Sequence, residues 1–170
     1  ISAVVKGLTI HNFYVPAGGD EPDRQKNPKF GHKLDFLAEM TGHFSKQPPS
    51  CSVLVGDLNI APLAADVWST RQLRNTVSHT AIEREKLLNL IEQGGWKDSV
   101  RAHFGSEKAL FSWWSYRARD WAASNRGRRL DHIWVSKDLS HRVKSAMIYN
   151  AARNAEKPSD HVPLTITLRP

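Results

Sequence analysis

Asp57 and Asn59 stand two residues apart at the end of Cys51-Ser52-Val53-Leu54-Val55-Gly56-Asp57-Leu58-Asn59. On extended backbone that spacing turns both side chains to the same side. A carboxylate and an amide so placed can hold a hard cation, or a water and a phosphate oxygen. They can equally form a strand end with an Asx turn. Asp131 follows Arg128-Arg129-Leu130 on a mostly apolar run, where a carboxylate is costly unless paired. Asp160-His161 ends the loop that starts at Lys157-Pro158-Ser159. The chemistry that needs such a set is phosphodiester hydrolysis. Carboxylates hold a divalent cation that offsets transition-state charge, and a carboxylate or imidazole takes a proton from the attacking water. A histidine that donates to a phosphate oxygen works best when a second carboxylate orients it, and Asp131 with His161 is the expected orienting pair. His11, His32, His43, His79, His103, His132 and His141 are read as surface or core residues.

These groups need strands to present them. Val53, Leu54 and Val55 form a short run without polar alternation, which predicts a strand buried on both faces, with its ligands at the carboxyl end. Upstream, Ala3 to Val5 and Leu8 to Tyr14 flank Lys6-Gly7 at hairpin spacing. Phe30, Leu34, Leu37 and Met40 recur at helical spacing, with Lys29, Lys33 and Glu39 outside that stripe. Pro62 and Trp68 lie in an irregular stretch. Thr80 with Glu83 predicts a capping box, followed by Leu87, Leu88 and Ile91 and a stop at Gly94-Gly95. Further strands are expected over Phe111 to Tyr116, Leu130 to Val135, Val143 to Tyr149, and the alternating Val162 to Leu168. This order predicts one α/β domain with a mixed sheet flanked by helices.

Between Ser112 and Arg129, five arginines (Arg117, Arg119, Arg126, Arg128 and Arg129) face Asp120 alone, more than half of the chain's net charge of +7. Trp113, Trp114, Tyr116 and Trp121 lie among them. Arginines for phosphates with aromatics for bases or sugars compose a nucleic-acid surface. Taken singly, Trp113 or Trp114 reads as core. A length of 170 residues, 40% hydrophobic, fits one packed domain, and the lone Cys51 excludes a disulfide framework and points to a reducing, cytoplasmic setting. No apolar run is long enough for a membrane helix. The chain opens without Met at Ile1-Ser2-Ala3-Val4-Val5, as if already inside a strand, and is expected to be an N-terminally truncated domain over residues 1–170.

With these residues in place, the chain resembles the exodeoxyribonuclease III branch of the AP endonucleases, in the endonuclease/exonuclease/phosphatase superfamily. Five stretches match in order: Asn12 to Pro16, Gly56 to Pro62, Phe111 to Arg117, Arg126 to His132, and Glu156 to His161. The resemblance implies part of a four-layer α/β sandwich and Mg²⁺- or Mn²⁺-dependent cleavage of duplex DNA, 5′ to abasic sites and from 3′ ends. By matching positions Tyr14 would contact the scissile phosphate and Asp57 would act on the nucleophilic water or leaving group. Asn59 would stabilise the transition state, and Asp57, Asn59, Asp160 and His161 would lie at the metal. Trp113 and Leu130 would line a pocket for an extruded sugar. From the arginine and aromatic composition of their stretch, Trp114, Arg117, Arg126, Arg128 and Arg129 are also expected to meet DNA. The family's upstream segment, with an Asn and a metal-binding Glu, has no counterpart here. The expected partners are therefore DNA and that missing segment, in a full-length protein expected to be a monomer without membrane contact. This chain alone is expected to be inactive and to bare an apolar sheet face. A relative acting on RNA or a phospholipid, and a basic binding fragment without catalysis, are the alternatives.

Overall fold

The computed structural model describes residues 1–170. Strands β1 (Ser2–Val5) and β2 (Leu8–Asn12) form the expected hairpin. Lys6 and Gly7 both adopt positive φ (50° and 80°), as a two-residue turn matched to strand twist requires. Helix α1 (Pro28–Lys46) starts where Pro28 fits the first helical position and the Asn27 side chain accepts from Lys29 N–H. Strand β3 (Ser52–Asp57) follows, then a 3-10 turn at Ala64–Asp66, helix α2 (Thr70–Leu73) and helix α3 (Ala81–Gln93). Thr80 and Glu83 make the predicted capping box, and α3 stops before Gly94. The remainder comprises β4 (Trp96–Asp98), α4 (Ser99–Phe104), β5 (Trp113–Trp114), α5 (Trp121–Ser124), β6 (Gly127–Arg128), β7 (Asp131–Ser136), β8 (Val143–Ile148) and β9 (Leu164–Leu168).

Five strands form a mixed sheet in the order β1-β2-β3-β7-β4. Strands β2 and β3 run parallel, while β7 is antiparallel to both β3 and β4. Alternation along the strands sorts two cores. Leu54 and Trp134 point to the face covered by α1 and α3, where they meet Leu37, Met40, Phe44, Leu87, Leu90 and Trp96. Val53, Ile133 and Val135 point to the other face, against Val100 of α4, Ala146 of β8 and the inner residues of β9. Helices, five-stranded sheet and the small β8–β9 sheet thus stack as layers of an α/β sandwich. No helix is long and apolar enough to cross a membrane.

Three local readings change. The strand expected over Phe111 to Tyr116 shrinks to Trp113 and Trp114, because its partner β6 is itself only two residues long; Ser112 N–H still donates to Arg128 C=O of β6, and Trp114 N–H donates to Asp160 C=O on the other side. Strand β4 and α4 are too short to show periodicity in sequence. Lys33 lies inside the protein, fully buried, because Glu83 of α3 meets its ammonium there.

Candidate active site

The sheet's directions gather the chemistry. Because β3 and β7 are antiparallel, the carboxyl end of one lies beside the amino end of the other, and Asp57 pairs directly with Asp131. Gly56 permits the close approach that this rim needs: at φ 141°, a Cβ there would fall 1.8 Å from Phe13 C=O. Phe13 N–H donates to Val55 C=O and Val15 N–H to Asp57 C=O, so the chain leaving β2 carries Tyr14 along the same rim, where it is exposed.

His161 completes the cluster. Its Nδ1 lies 2.7 Å from Asp131 Oδ2, and ligand atoms of Asp57, Asp131 and His161 lie within 4.8 Å of one another. A carboxylate only accepts, so Nδ1 carries the proton and Nε2 faces the opposite way. The Asp131 hydrogen bond is the largest cause that raises the His161 pKa, outweighing burial. Burial is also the main reason the Asp57 carboxyl is pushed up; the Asp131 charge adds to this, against the lowering effect of the Asn59 N–H. The rim is therefore a half-buried set of two carboxylates that repel one another and one cation-leaning imidazole.

Asn59 sits in the left-handed region (φ 52°), and its N–H donates to Asp57 Oδ1 at 2.9 Å. The Asx turn forms, and it keeps the two side chains together at the end of β3. The Asn59 amide donates to Asp57 Oδ2 (3.0 Å) and to Val15 C=O (2.9 Å). Both its N–H donors are spent on holding the rim, which leaves its Oδ1 as the atom to offer outward. Asp160 lies next to His161, yet its Oδ2 accepts from the Trp113 indole N–H at 2.9 Å, and its carboxylate is outside the three-residue cluster. Asp131, expected only to orient His161, is inside it.

A cleft of about 620 Å³ opens beside His161 and Asn59. Its walls include Trp68, Trp113, Leu130, Arg117, Arg126 and Arg128. Arg126 lies over the Trp68 ring and Arg128 over the Trp113 ring, at 4.8 and 5.4 Å from the ring centres. Arg128 also donates to Val77 C=O and Ser78 Oγ, so only part of its guanidinium faces the opening. Two residues expected at a DNA surface are elsewhere. Trp114 is buried and its indole donates to Asn125 Oδ1. Arg129 is fully buried, with its guanidinium on Asp66 and Asp98. Alternating along one short segment, Arg128 and Arg129 must point to opposite sides, so only one of them can reach the cleft.

Sequence reasoning missed two supports. Ser112 is buried, and its hydroxyl accepts from both Leu130 N–H (2.9 Å) and Asp131 N–H (3.0 Å), which fixes the start of β7. Asp66, in a stretch read as irregular, is buried between Arg101 and Arg129, and its C=O accepts from Arg129 N–H. Neither carries a local pattern, because the partners lie on segments remote in the chain.

The sequence pattern of the Endonuclease/Exonuclease/phosphatase family matches residues 12–161. Exodeoxyribonuclease III of Haemophilus influenzae is 32% identical over 164 residues, covering 92% of this chain and 60% of that protein. An AP endonuclease from Archaeoglobus fulgidus superposes with a TM-score of 0.90 at 28% identity, covering 98% of this chain and 63% of its own. The 3′ phosphatase NExo from Neisseria, solved bound to a product DNA hairpin, superposes at 0.89 with 30% identity, covering 99% and 63%. The chain thus spans about three fifths of the length of these three relatives. With the strand-end cluster and the ordered motifs, these matches establish that the chain belongs to the endonuclease/exonuclease/phosphatase family, in its exodeoxyribonuclease III and AP endonuclease branch.

Proposed function

We propose that this chain carries the catalytic rim of a DNA repair nuclease that hydrolyses phosphodiesters with Mg²⁺ or Mn²⁺, cutting 5′ to abasic sites and removing nucleotides from 3′ ends. The observation that carries this reading is the meeting of Asp57, Asp131 and His161 within 4.8 Å beside a cleft walled by arginines and tryptophans. His161 Nε2 donates to a non-bridging phosphate oxygen while Asp131 holds the ring and favours its charge. Asp57, with its carboxyl raised by burial, takes the proton of the attacking water more readily than an ordinary aspartate. Asn59 keeps Asp57 aimed. Tyr14, exposed on the rim, approaches the phosphate from the β2 side.

The donor set fits a hard divalent cation. Asp57 and Asp131 crowd two carboxylates together, and a cation would relieve the repulsion that helps raise Asp57. When bound, it would neutralise charge that builds on the phosphoryl oxygens. A hard cation takes about six oxygens, so water, substrate or further protein groups must supply the remainder. The chain alone is accordingly expected to bind Mg²⁺ weakly and to cut slowly.

The test is cleavage by the whole protein of a duplex bearing one abasic site, with Mg²⁺ and with EDTA. Metal-dependent incision on the 5′ side is expected, with exonuclease products from a recessed 3′ end. Cleavage of RNA or a phosphodiester lipid with intact abasic DNA would overturn the assignment.

A further inference from the structure

Beneath the rim lies a charge that phosphodiester chemistry does not call for. Lys33, on the face of α1 turned towards the sheet, is fully buried, and its Nζ makes three contacts that converge from different segments. It lies 2.6 Å from Glu83 Oε1, donates to Asn59 C=O at 2.8 Å, and donates to Ala17 C=O at 3.2 Å. Asn59 belongs to the turn after β3 that aims Asp57. Ala17 belongs to the segment after β2 that carries Tyr14. One ammonium therefore ties both rim segments from below.

The rest of the arrangement serves that tie. Gly18, at φ 92°, leaves room for the lysine stem: a Cβ there would sit 2.9 Å from Lys33 Cδ. Glu83 is held in turn by Ser78 N–H (2.9 and 3.0 Å to its two oxygens), Thr80 N–H (3.1 Å) and Thr80 Oγ1–H (2.6 Å). Ser78 Oγ accepts from Arg128, which walls the cleft. The path from Arg128 through Ser78, Glu83 and Lys33 to Asn59 is continuous. A buried ion pair is a costly way to gain stability, since an apolar pair of similar volume serves as well. What an apolar pair cannot do is hold two carbonyls from separate loops at fixed positions.

We infer that Lys33 is a positioning residue for the active site, clamping the Asn59 turn to the Tyr14 segment through their carbonyls, with Glu83 as its counter-charge. The left-handed Asn59 is the point of leverage. Without the Lys33 bond to its carbonyl, this residue relaxes towards ordinary backbone, and the two amide bonds that aim Asp57 go with it.

The test removes both charges together, as Lys33→Met with Glu83→Gln, so that neither is left alone in the core. Hydrogen exchange on this chain reads the placement without relying on the nuclease reading. The Asn59 amide should lose at least about tenfold in protection while amides in the middle of β3 keep theirs. In the whole protein, on which the kinetic arm depends, kcat should fall about 10- to 100-fold with KM for DNA within twofold, the mark of a misplaced rather than unbound substrate. Unchanged Asn59 protection, or a change in KM alone, would overturn the inference. A wild type that cuts no DNA would sink the nuclease reading and leave the exchange result standing. Should the double variant not fold, the wild-type chain decides: native-state exchange in rising urea should open the Asn59 and Ser78 amides together, and Asn59 opening well ahead of Ser78 would dismiss the clamp.

Discussion

Strand β7 begins between two clusters of charge that obey opposite rules. Inside the fold, Asp66 accepts from Arg101 and Arg129, Arg129 bridges to Asp98 at 2.8 Å, and Arg129 Nη1 reaches His132 Nδ1 at 3.1 Å. His132 lies between them, with Nε2 2.9 Å from Ile60 C=O and Nδ1 3.8 Å from Asp98 Oδ2. Two arginines thus balance two aspartates. Burial alone would raise both carboxyls, but Arg129 holds Asp98, and Arg129 with Arg101 holds Asp66, below the usual range. At the rim, Asp57 and Asp131 share only His161, and Asp57 is pushed up. The interior cluster is satisfied and closed; the rim is left in deficit of positive charge. A surplus that the protein does not cancel is an invitation to a cation or a proton, and it is what distinguishes the rim, on the proposed function, from the closed interior cluster.

The sharpest way to break the interior cluster is Arg129→Leu. It leaves Asp66 and Asp98 buried with Arg101 alone, and breaking such pairs costs about 3–5 kcal/mol. Urea unfolding at neutral pH should show that loss or an unfolded chain. A loss under about 1 kcal/mol would mean that Arg129 is as dispensable as a surface arginine.

The same exercise at the rim should spare the fold. Asp57→Asn in the whole protein is expected to lower turnover by about 10²–10⁴-fold, the range of a lost acid–base group. DNA affinity in EDTA should hold, and stability should be level or slightly higher, since burial disfavours the Asp57 charge. A variant that unfolds would place Asp57 with the structural charges.

A smaller, pH-dependent effect separates Asp131 from Asp57. The Asp131 hydrogen bond is the largest cause that raises His161, so Asp131→Asn should bring the imidazole pKa down, as a proton NMR titration of the ring would record. The sign for stability follows. A raised folded-state pKa contributes stability that is fully present below the ordinary imidazole value and is lost as pH rises through the raised one. The wild type should therefore exceed the variant most on the acid side of the imidazole range, above carboxylate titration. A gap that widens at alkaline pH would contradict the pairing.

Legibility in the sequence followed distance along the chain. The G-D-x-N turn, the Thr80–Glu83 cap and the Lys6-Gly7 hairpin are local, and each forms where its residues predict. That Asp57, Asp131 and His161 converge could be expected from strand ends but needed the antiparallel β3–β7 register to become a cluster. Lys33 and Arg129 read as solvated or DNA-facing charges because their partners are remote: Glu83 lies on another helix, and Asp66 is 63 residues from Arg129. Charge sign is visible in sequence; the counter-charge that decides burial is not.

The last comparison lies within the arginine stretch itself. Arg126 is exposed on the cleft wall, makes no ion pair and rests on Trp68, whereas Arg129, three residues on, is spent on Asp66 and Asp98. Arg128 is intermediate, with one nitrogen on Val77 and Ser78. Each phosphate contact releases condensed counterions and adds about 0.9 to the slope of log affinity against log salt on duplex DNA. Arg126→Gln should therefore reduce that slope by nearly one unit in metal-free binding to a duplex. Arg128→Gln should reduce it by up to the same amount, and by less to the extent that its committed nitrogen keeps the guanidinium off the phosphate. An unchanged slope in both variants would remove the cleft from the DNA interface, because no other feature of these two side chains depends on released counterions.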